Sequence, residues 1–411
     1  MPEPTNNGPR VTCLGQAVIL LFVLGMLGGA GYLLWLKYAP GKGGAAPTTP
    51  AGPASSGTQS GVARPGGPVV EIGIAYGTEK QRWLQWAVEA FGKTPDGARI
   101  KINLIPVGSL EGGQKVIEGD QRIHVWTPAS SLYKDVFLQE WQTRRSTAKS
   151  PILKEEVLAL TPMVFVLWAE RADAFVAKFN AITFRTVGEA LAEPAGWQAI
   201  AQKPEWGVFK FGHTQPQQSN SGLMTLVIMA YDFHQKDRGL VLKDVLDPAF
   251  QAWMGKFEGA ISGMANSTGN MMRDMVLRGP STYDGLFVYE SVVIDYLKNA
   301  EGRWGELRVA YPSRNIWSDN PYYILDVDWS SADQRKAAQV FLDFLLTEPV
   351  QREALVHGFR PGNPAVPVKF PESPFEQFAK AGLRVDPPIT AEPVKAEVIN
   401  NLLQIWQRTR R

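Results

Sequence analysis

Two short motifs in this chain have the residue types of a covalent serine enzyme. Ser131-Leu-Tyr-Lys134 matches Ser-x-x-Lys, and Ser318-Asp319-Asn320 matches the second motif of the penicillin-interacting serine acylases. The set is incomplete. No Lys-Thr-Gly or Lys-Ser-Gly follows, and Ser146-Thr-Ala-Lys149 matches the first motif equally well, which shows how cheaply that spacing arises. The histidines His124, His213, His234 and His357 are scattered without ligand spacing, so no metal site is expected. The single cysteine, Cys13, lies near the start of an apolar run and leaves the body without a thiol nucleophile or an internal disulfide. The residues point to no cofactor and no enzyme.

Neutral hydrogen-bond donors are the stronger signal. Gly77-Thr78, Ser130-Ser131 and Ser219-Asn220-Ser221-Gly222 each put hydroxyl residues where a strand gives way to a helix. Helix starts present unpaired backbone N–H groups and a positive dipole end, so convergent hydroxyls there can hold an anion without a lysine or arginine. The competing reading of each is a simple helix cap. Glu290 stands between a strand and a helix, where a carboxylate suits the dipole; it is read as a cap first, and second as a contact across the cleft or to a ligand amine or hydroxyl. Of the 13 tryptophans, Trp83, Trp86 and Trp253 fall at helical spacing with other apolar residues and belong to a core. Trp126, beside Thr127-Pro128, is the candidate for stacking on a ligand.

Strands and helices alternate around these loops. Val69 to Tyr76 reads as a strand that stops at Gly77, and Thr78-Glu-Lys-Gln81 has capping-box spacing before the apolar stripe of Trp83, Trp86, Ala87, Ala90 and Phe91. Ile100 to Pro106 and Ile123 to Thr127 follow as strands separated by a short helix, an alternation that implies a parallel sheet. Met163 to Trp168 is an apolar run suited to a buried central strand. The fold class is therefore α/β. In such sheets ligands collect beyond the carboxyl ends of the strands.

Charge and composition narrow the partners. Lysine plus arginine total 42 against 40 aspartates and glutamates, so no field of one sign exists to attract nucleic acid. Residues 1–10 form a short tail. Val11 to Leu36 contains no charged residue, enough to cross a hydrocarbon core that needs about 20 apolar residues, and Tyr32, Trp35 and Tyr38 sit where interfacial aromatics anchor a span. An uncleaved transmembrane helix over 11–38 is expected. Residues 39–68 are Gly, Pro, Ala, Ser and Thr with Lys42 and Arg64 the only charges, a disordered linker that holds a body near a membrane.

Taken together, these segments resemble the type 2 periplasmic, extracellular solute-binding proteins, the broad group that includes molybdate- and sulfate-binding proteins. The branch often linked to von Willebrand factor A modules is the most similar. The resemblance rests on Gly77-Thr78-Glu-Lys, Trp126-Thr-Pro-Ala-Ser130-Ser131-Leu-Tyr, Gln215-Pro216-Gln-Gln-Ser219-Asn-Ser221-Gly222, Asn266-Ser267-Thr268-Gly, Tyr289-Glu290-Ser291 and Gly358-Phe-Arg-Pro-Gly-Asn363. It covers Val69 to about Val368. It implies a two-lobed clamshell with residues 69–160 and 313–411 as lobe 1 and 161–312 as lobe 2. A small-molecule or oxyanion ligand then lies against Thr78, Ser130, Ser131, Ser219 and Ser221. It also implies an extracytoplasmic body on the cell membrane, with a membrane transporter or a von Willebrand factor A protein as partner. The chain departs from that pattern in its anchor and in having no A module. An interaction or signalling protein built on the same fold without transport is the alternative function.

Overall fold

The computed structural model describes residues 68–409. The anchor expected over 11–38, and all but the last residue of the linker expected over 39–68, lie outside the described residues. Among those described, no helix is long and apolar enough to cross a membrane. The strands, in chain order, are β1 (Val70–Gly77), β2 (Ile100–Val107), β3 (Val125–Thr127), β4 (Ile152–Val157), β5 (Ala159–Leu160), β6 (Met163–Trp168), β7 (Phe211–Gly212), β8 (Gly285–Tyr289), β9 (Leu307–Ala310), β10 (Pro321–Leu325) and β11 (Arg360–Pro361).

They form two main sheets, ordered β2-β1-β3-β10-β4 and β7-β8-β6-β9, and a small ribbon of β5 with β11. β1 is buried from Ile72 to Gly77, because the helix Gln81–Phe91 and the helix Ala332–Leu345 pack Trp83, Leu84, Phe91, Phe341 and Leu342 over its sheet. In the second sheet every residue of β6 is buried, as its unbroken apolar run demands. The helix Asn220–His234 is buried at every position from Asn220 to Tyr231, so it is a central element hydrophobic on all sides beyond its first turn.

The sheets are mixed, which corrects the parallel sheet expected from alternation. β1, β2 and β3 are parallel, but β10 enters antiparallel between β3 and β4, and β6 is antiparallel to both β8 and β9. The chain crosses from the first sheet to the second after β4 and returns before β10. A strand arriving from the other sheet enters from the opposite end, and the order of strands and helices carries no record of that direction. The two crossing segments are tied together: Thr161 and Ser318 exchange backbone hydrogen bonds at 3.0 and 2.9 Å, and Leu158 N donates to Asn320 O at 3.2 Å. The β5–β11 pair lies alongside them in the chain.

Thr78 is not a cap. Gly77 holds the cap position, Thr78–Lys80 forms a 3-10 turn, and no side chain closes the helix start. The C-terminal helix Ala396–Thr409 packs on the second-sheet side, where Trp406 Nε1 donates to Glu258 Oε2 at 2.7 Å; the segment that precedes it is held there too, by Tyr231 OH donating to the Glu392 carbonyl at 2.9 Å.

Candidate functional site

The parallel strands β1, β2 and β3 end at Gly77, Val107 and Thr127, and the parallel pair β7 and β8 ends at Gly212 and Tyr289. The loops that follow these ends meet along one interior seam between the two sheets. Gly108, just past β2, lies so close to Gln218 that an added Cβ would sit 2.5 Å from its carbonyl oxygen. Thr78 and Arg82 share a cavity of about 290 Å³ with Asn270, Asp295 and Tyr296 from the other side.

On the second-sheet side, four hydroxyls cluster. Ser221 Oγ lies 2.5 Å from Thr214 Oγ1, 2.6 Å from Thr268 Oγ1 and 3.1 Å from Ser219 Oγ. Ser219 holds the cap position of Asn220–His234 yet makes no cap bond; its hydroxyl turns to the cluster instead. Gly222 makes this approach possible, since a Cβ there would fall 2.2 Å from the Thr214 carbonyl. A hydroxyl has one proton and two lone pairs, so Ser221 is saturated by its neighbours, and an incoming solute must displace one of them. Asn220 Nδ2 donates to Tyr289 OH at 2.9 Å, while Asn220 Oδ1 and the Thr127 hydroxyl at the end of β3 are buried without a hydrogen-bond partner. Burial, with the nearby Glu79 carboxylate adding to it, pushes the Tyr289 phenol well above its ordinary range, so its proton stays available.

The first-sheet side carries charge. Lys80 is fully buried, and its ammonium donates to Glu79 Oε1 at 2.5 Å, to the Pro128 carbonyl at 3.1 Å and to Asn320 Oδ1 at 3.0 Å. Three donors meet three acceptors, which is what a buried ammonium needs. Burial lowers its pKa and Glu79 opposes that shift. Glu79 folds back over Gly77, where a Cβ would meet its carboxylate at 2.3 Å. Ser131 donates twice to Asp319, from its backbone N at 2.7 Å and from Oγ at 2.6 Å. Ser130 caps the same turn, accepting from Leu132 N at 3.0 Å.

The structure thus draws Ser219, Asn220 and Ser221 together, places Thr78 on the cavity beside them, and spends Ser130 and Ser131 on local partners. Trp126 is 1% exposed; its indole donates to the Ser109 carbonyl at 3.1 Å and packs between Phe137 and Tyr323. It supports the loop and has no face for a ligand. Tyr289 holds the cap position, and Glu290 is the acidic first residue of the helix Glu290–Glu301. It receives a bidentate pair from Arg360, Nε to Oε1 at 3.1 Å and Nη2 to Oε2 at 3.0 Å, and a hydrogen bond from Tyr311. Burial raises its pKa, and Arg360 pulls it back down.

The acylase motifs do meet in space, through Ser131 and Asp319, but the chemistry is absent. Lys134 is ion-paired with Glu155, and the Ser131 proton points at a carboxylate. Sequence reasoning gave no role here to Lys80 or Thr214, and saw Asp319 and Asn320 only as part of an acylase motif. A signal existed for two of them: Lys80 stands in the Gly77-Thr78-Glu-Lys segment, and Asn320 precedes Pro321, a dipeptide that marks a turn, which the structure makes with a positive φ of 39° at Asn320.

The family model of the bacterial extracellular solute-binding proteins matches residues 72–360. No curated protein matches in sequence. Solved structures match in fold. The sulfate-binding protein SubI from Mycobacterium tuberculosis H37Rv does so at 15% identity and a TM-score of 0.52, over 80% of this chain and 96% of that one. A periplasmic thiamin binding protein gives 12% and 0.57, over 85% and 100%, and the ferric binding protein from Campylobacter jejuni 12% and 0.55, over 82% and 99%.

Proposed function

Since the chain belongs to the bacterial extracellular solute-binding proteins, binding proteins and not enzymes, we propose that it captures a small polar solute in the seam between its two sheets. The observation that carries this reading is the Thr214–Ser219–Ser221–Thr268 cluster with Asn220 and Tyr289. It is a buried set of neutral donors and acceptors at strand ends of one sheet, and Thr268 leads directly into Gly269 and Asn270, which line the cavity that Thr78 and Arg82 share. Such convergent polar groups in a largely apolar surround fix a ligand's orientation. In place of a first lobe that runs to 411, the lobes are 69–160 with 313 to about 390, and 161–312 with the C-terminal segment from Glu392 through the helix Ala396–Thr409, since Glu392 is bonded by Tyr231 and Trp406 bonds Glu258. They open about the paired segments 158–162 and 316–320.

The finer parts of the reading are an anchor over 11–38 that tethers the body outside the cell, and a membrane transporter that takes the solute, with a von Willebrand factor A protein as the other candidate partner. Native mass spectrometry of the full-length chain tests the function. A small molecule carried by the wild-type chain, which at 100 times its dissociation constant stabilises by about 2.7 kcal/mol, is the expected result. A chain that carries none, and that no solute of any charge class stabilises, ends the reading. Cross-linking on intact cells identifies the partner, and carbonate extraction reads the anchor.

A further inference from the structure

The cavity of about 290 Å³ that follows the hydroxyl cluster at Gly269 and Asn270 is lined by four charged residues, Glu79 and Arg82 from the first-sheet side and Arg273 and Asp295 from the second. Its two carboxylates are already answered. Glu79 takes the Lys80 ammonium at 2.5 Å. Asp295 Oδ1 lies 3.8 Å from Arg82 Nη1 and 3.2 Å from His357 Nδ1, and the Asp295 carbonyl accepts from Arg82 Nη1 at 3.2 Å. Asp319, the other carboxylate that acts on Lys80, is turned to Ser131 and is not part of the lining.

The two guanidiniums have capacity left. Arg82 lies with its guanidinium 4.9 Å from the centre of the Tyr296 ring, and its contacts with Asp295 and Tyr296 use a minority of its five N–H groups. Arg273 is exposed, and no carboxylate pairs with it among the described residues. Burial raises the pKa of the Tyr296 phenol, and Arg82 and Arg273 both pull it down, so the two cations, one from each side, bear on the same point. Setting Lys80 against Glu79 and Arg82 against Asp295 leaves the charge of Arg273 over. A cavity of about 150 Å³ accepts benzene, so this one has room for roughly ten non-hydrogen atoms, more than a bare oxyanion needs. Val292 and the Tyr296 ring give it carbon surface.

Building on the solute-binding reading above, we infer that the solute is an organic acid, its acid group held between Arg82 of the first-sheet side and Arg273 of the second, and its carbon part set against Val292 and Tyr296. A guanidinium fork matches a carboxylate in shape as well as charge. Arginines from opposite sides meet on one acid group only when the lobes close, so the same contact supplies affinity and drives closure. Thr78 and Asn270 on the same lining add neutral hydrogen bonds that orient the rest of the molecule.

The test uses the full-length chain and simple probes in matched pairs, benzoate with benzamide and succinate with succinamide, and sulfate beside them. Each is titrated at constant ionic strength with thermal unfolding as readout. At least one of the two carboxylates stabilises the wild type saturably, with an affinity at least about tenfold above its neutral amide and above sulfate. Arg273→Gln, a change at an exposed side chain, unfolds at the wild-type temperature without probe, weakens the carboxylate response by at least about tenfold and leaves the amide response where it was. Amides that stabilise as well as their acids, sulfate that binds more tightly than either acid, or an acid response that Arg273→Gln leaves intact each overturn the inference. Native mass spectrometry gives the second reading. An acid carried by the wild type and lost from Arg273→Gln supports it, whereas a neutral or cationic solute overturns it and leaves the solute-binding function standing. A chain that carries nothing and that no probe of any charge stabilises fails the function itself, and this inference with it.

Discussion

In two of the places where it buries polar groups, the body uses different chemistry. Beside the crossing segments, Glu290 and Arg360 form a bidentate ion pair, with Tyr311 on the carboxylate and the Arg384 carbonyl accepting from the guanidinium at 2.7 Å. In the seam at the strand ends, the second-sheet side uses neutral groups, the hydroxyls of Thr214, Ser219 and Thr268 gathered on that of Ser221 and the Asn220 amide on Tyr289. An ion pair out of water holds together only as a whole, because removing one partner strands the other charge. Hydroxyls can exchange partners at small cost. The first arrangement suits a pivot that keeps its contacts, and the second suits a surface that must trade its contacts for those of a solute.

The largest effect should come from the pivot. Arg360→Met leaves a fully buried carboxylate unpaired and should cost about 3–5 kcal/mol in urea unfolding. The pH dependence has a definite sign. A carboxyl whose pKa is raised in the folded state contributes stability below its unfolded value, 4.5, and that contribution is lost as pH rises through the folded value. Without Arg360 to counter burial, the variant should be weaker relative to wild type at pH 8 than at pH 5. A loss below 1 kcal/mol would place the pair among inert contacts.

Lys80→Met comes next, at about 2–3 kcal/mol, since it strips a charged hydrogen-bond partner from Glu79, Pro128 and Asn320 together. Calorimetric unfolding reads it, and a neutral result would mean that Glu79 finds water at the cavity edge. Ser221→Ala should cost only about 1–2 kcal/mol, because Thr214 and Thr268 lose one partner each and can turn toward another. A cost equal to that of Arg360→Met would erase the contrast between the two regions.

The smallest effect lies away from both. His124 Nδ1 accepts from Gly73 N at 2.9 Å, which needs a neutral ring, and burial lowers its pKa from 6.5. The folded state therefore binds fewer protons than the unfolded state as pH falls below 6.5, so stability is full above that value and declines beneath it. His124→Gln should flatten this slope in unfolding scans between pH 7 and pH 5.5.

Much of this was legible in the chain. The apolar run Met163 to Trp168 became a buried central strand, and the Ser219-Asn-Ser-Gly222 turn became the start of a buried helix. Periodicity reports such features because they depend on neighbours along the chain. The Trp126 indole was misread because exposure is set by distant residues, here Phe137 and Tyr323. For the same reason Glu290 could be placed at a helix start but not matched with Arg360, 70 positions away. Asp319 shows the limit most clearly. Its place in a Ser-Asp-Asn triplet suggested an enzyme, while its actual partner is Ser131, 188 positions earlier.

The hydroxyl cluster at Ser219, Ser221, Thr214 and Thr268 is the point on which everything rests, and titration calorimetry of the solute found on the wild-type chain reads it directly. Ser219→Ala combined with Ser221→Ala should weaken that binding by more than about tenfold while far-UV circular dichroism stays native. Unchanged affinity in the folded double variant would place the solute elsewhere.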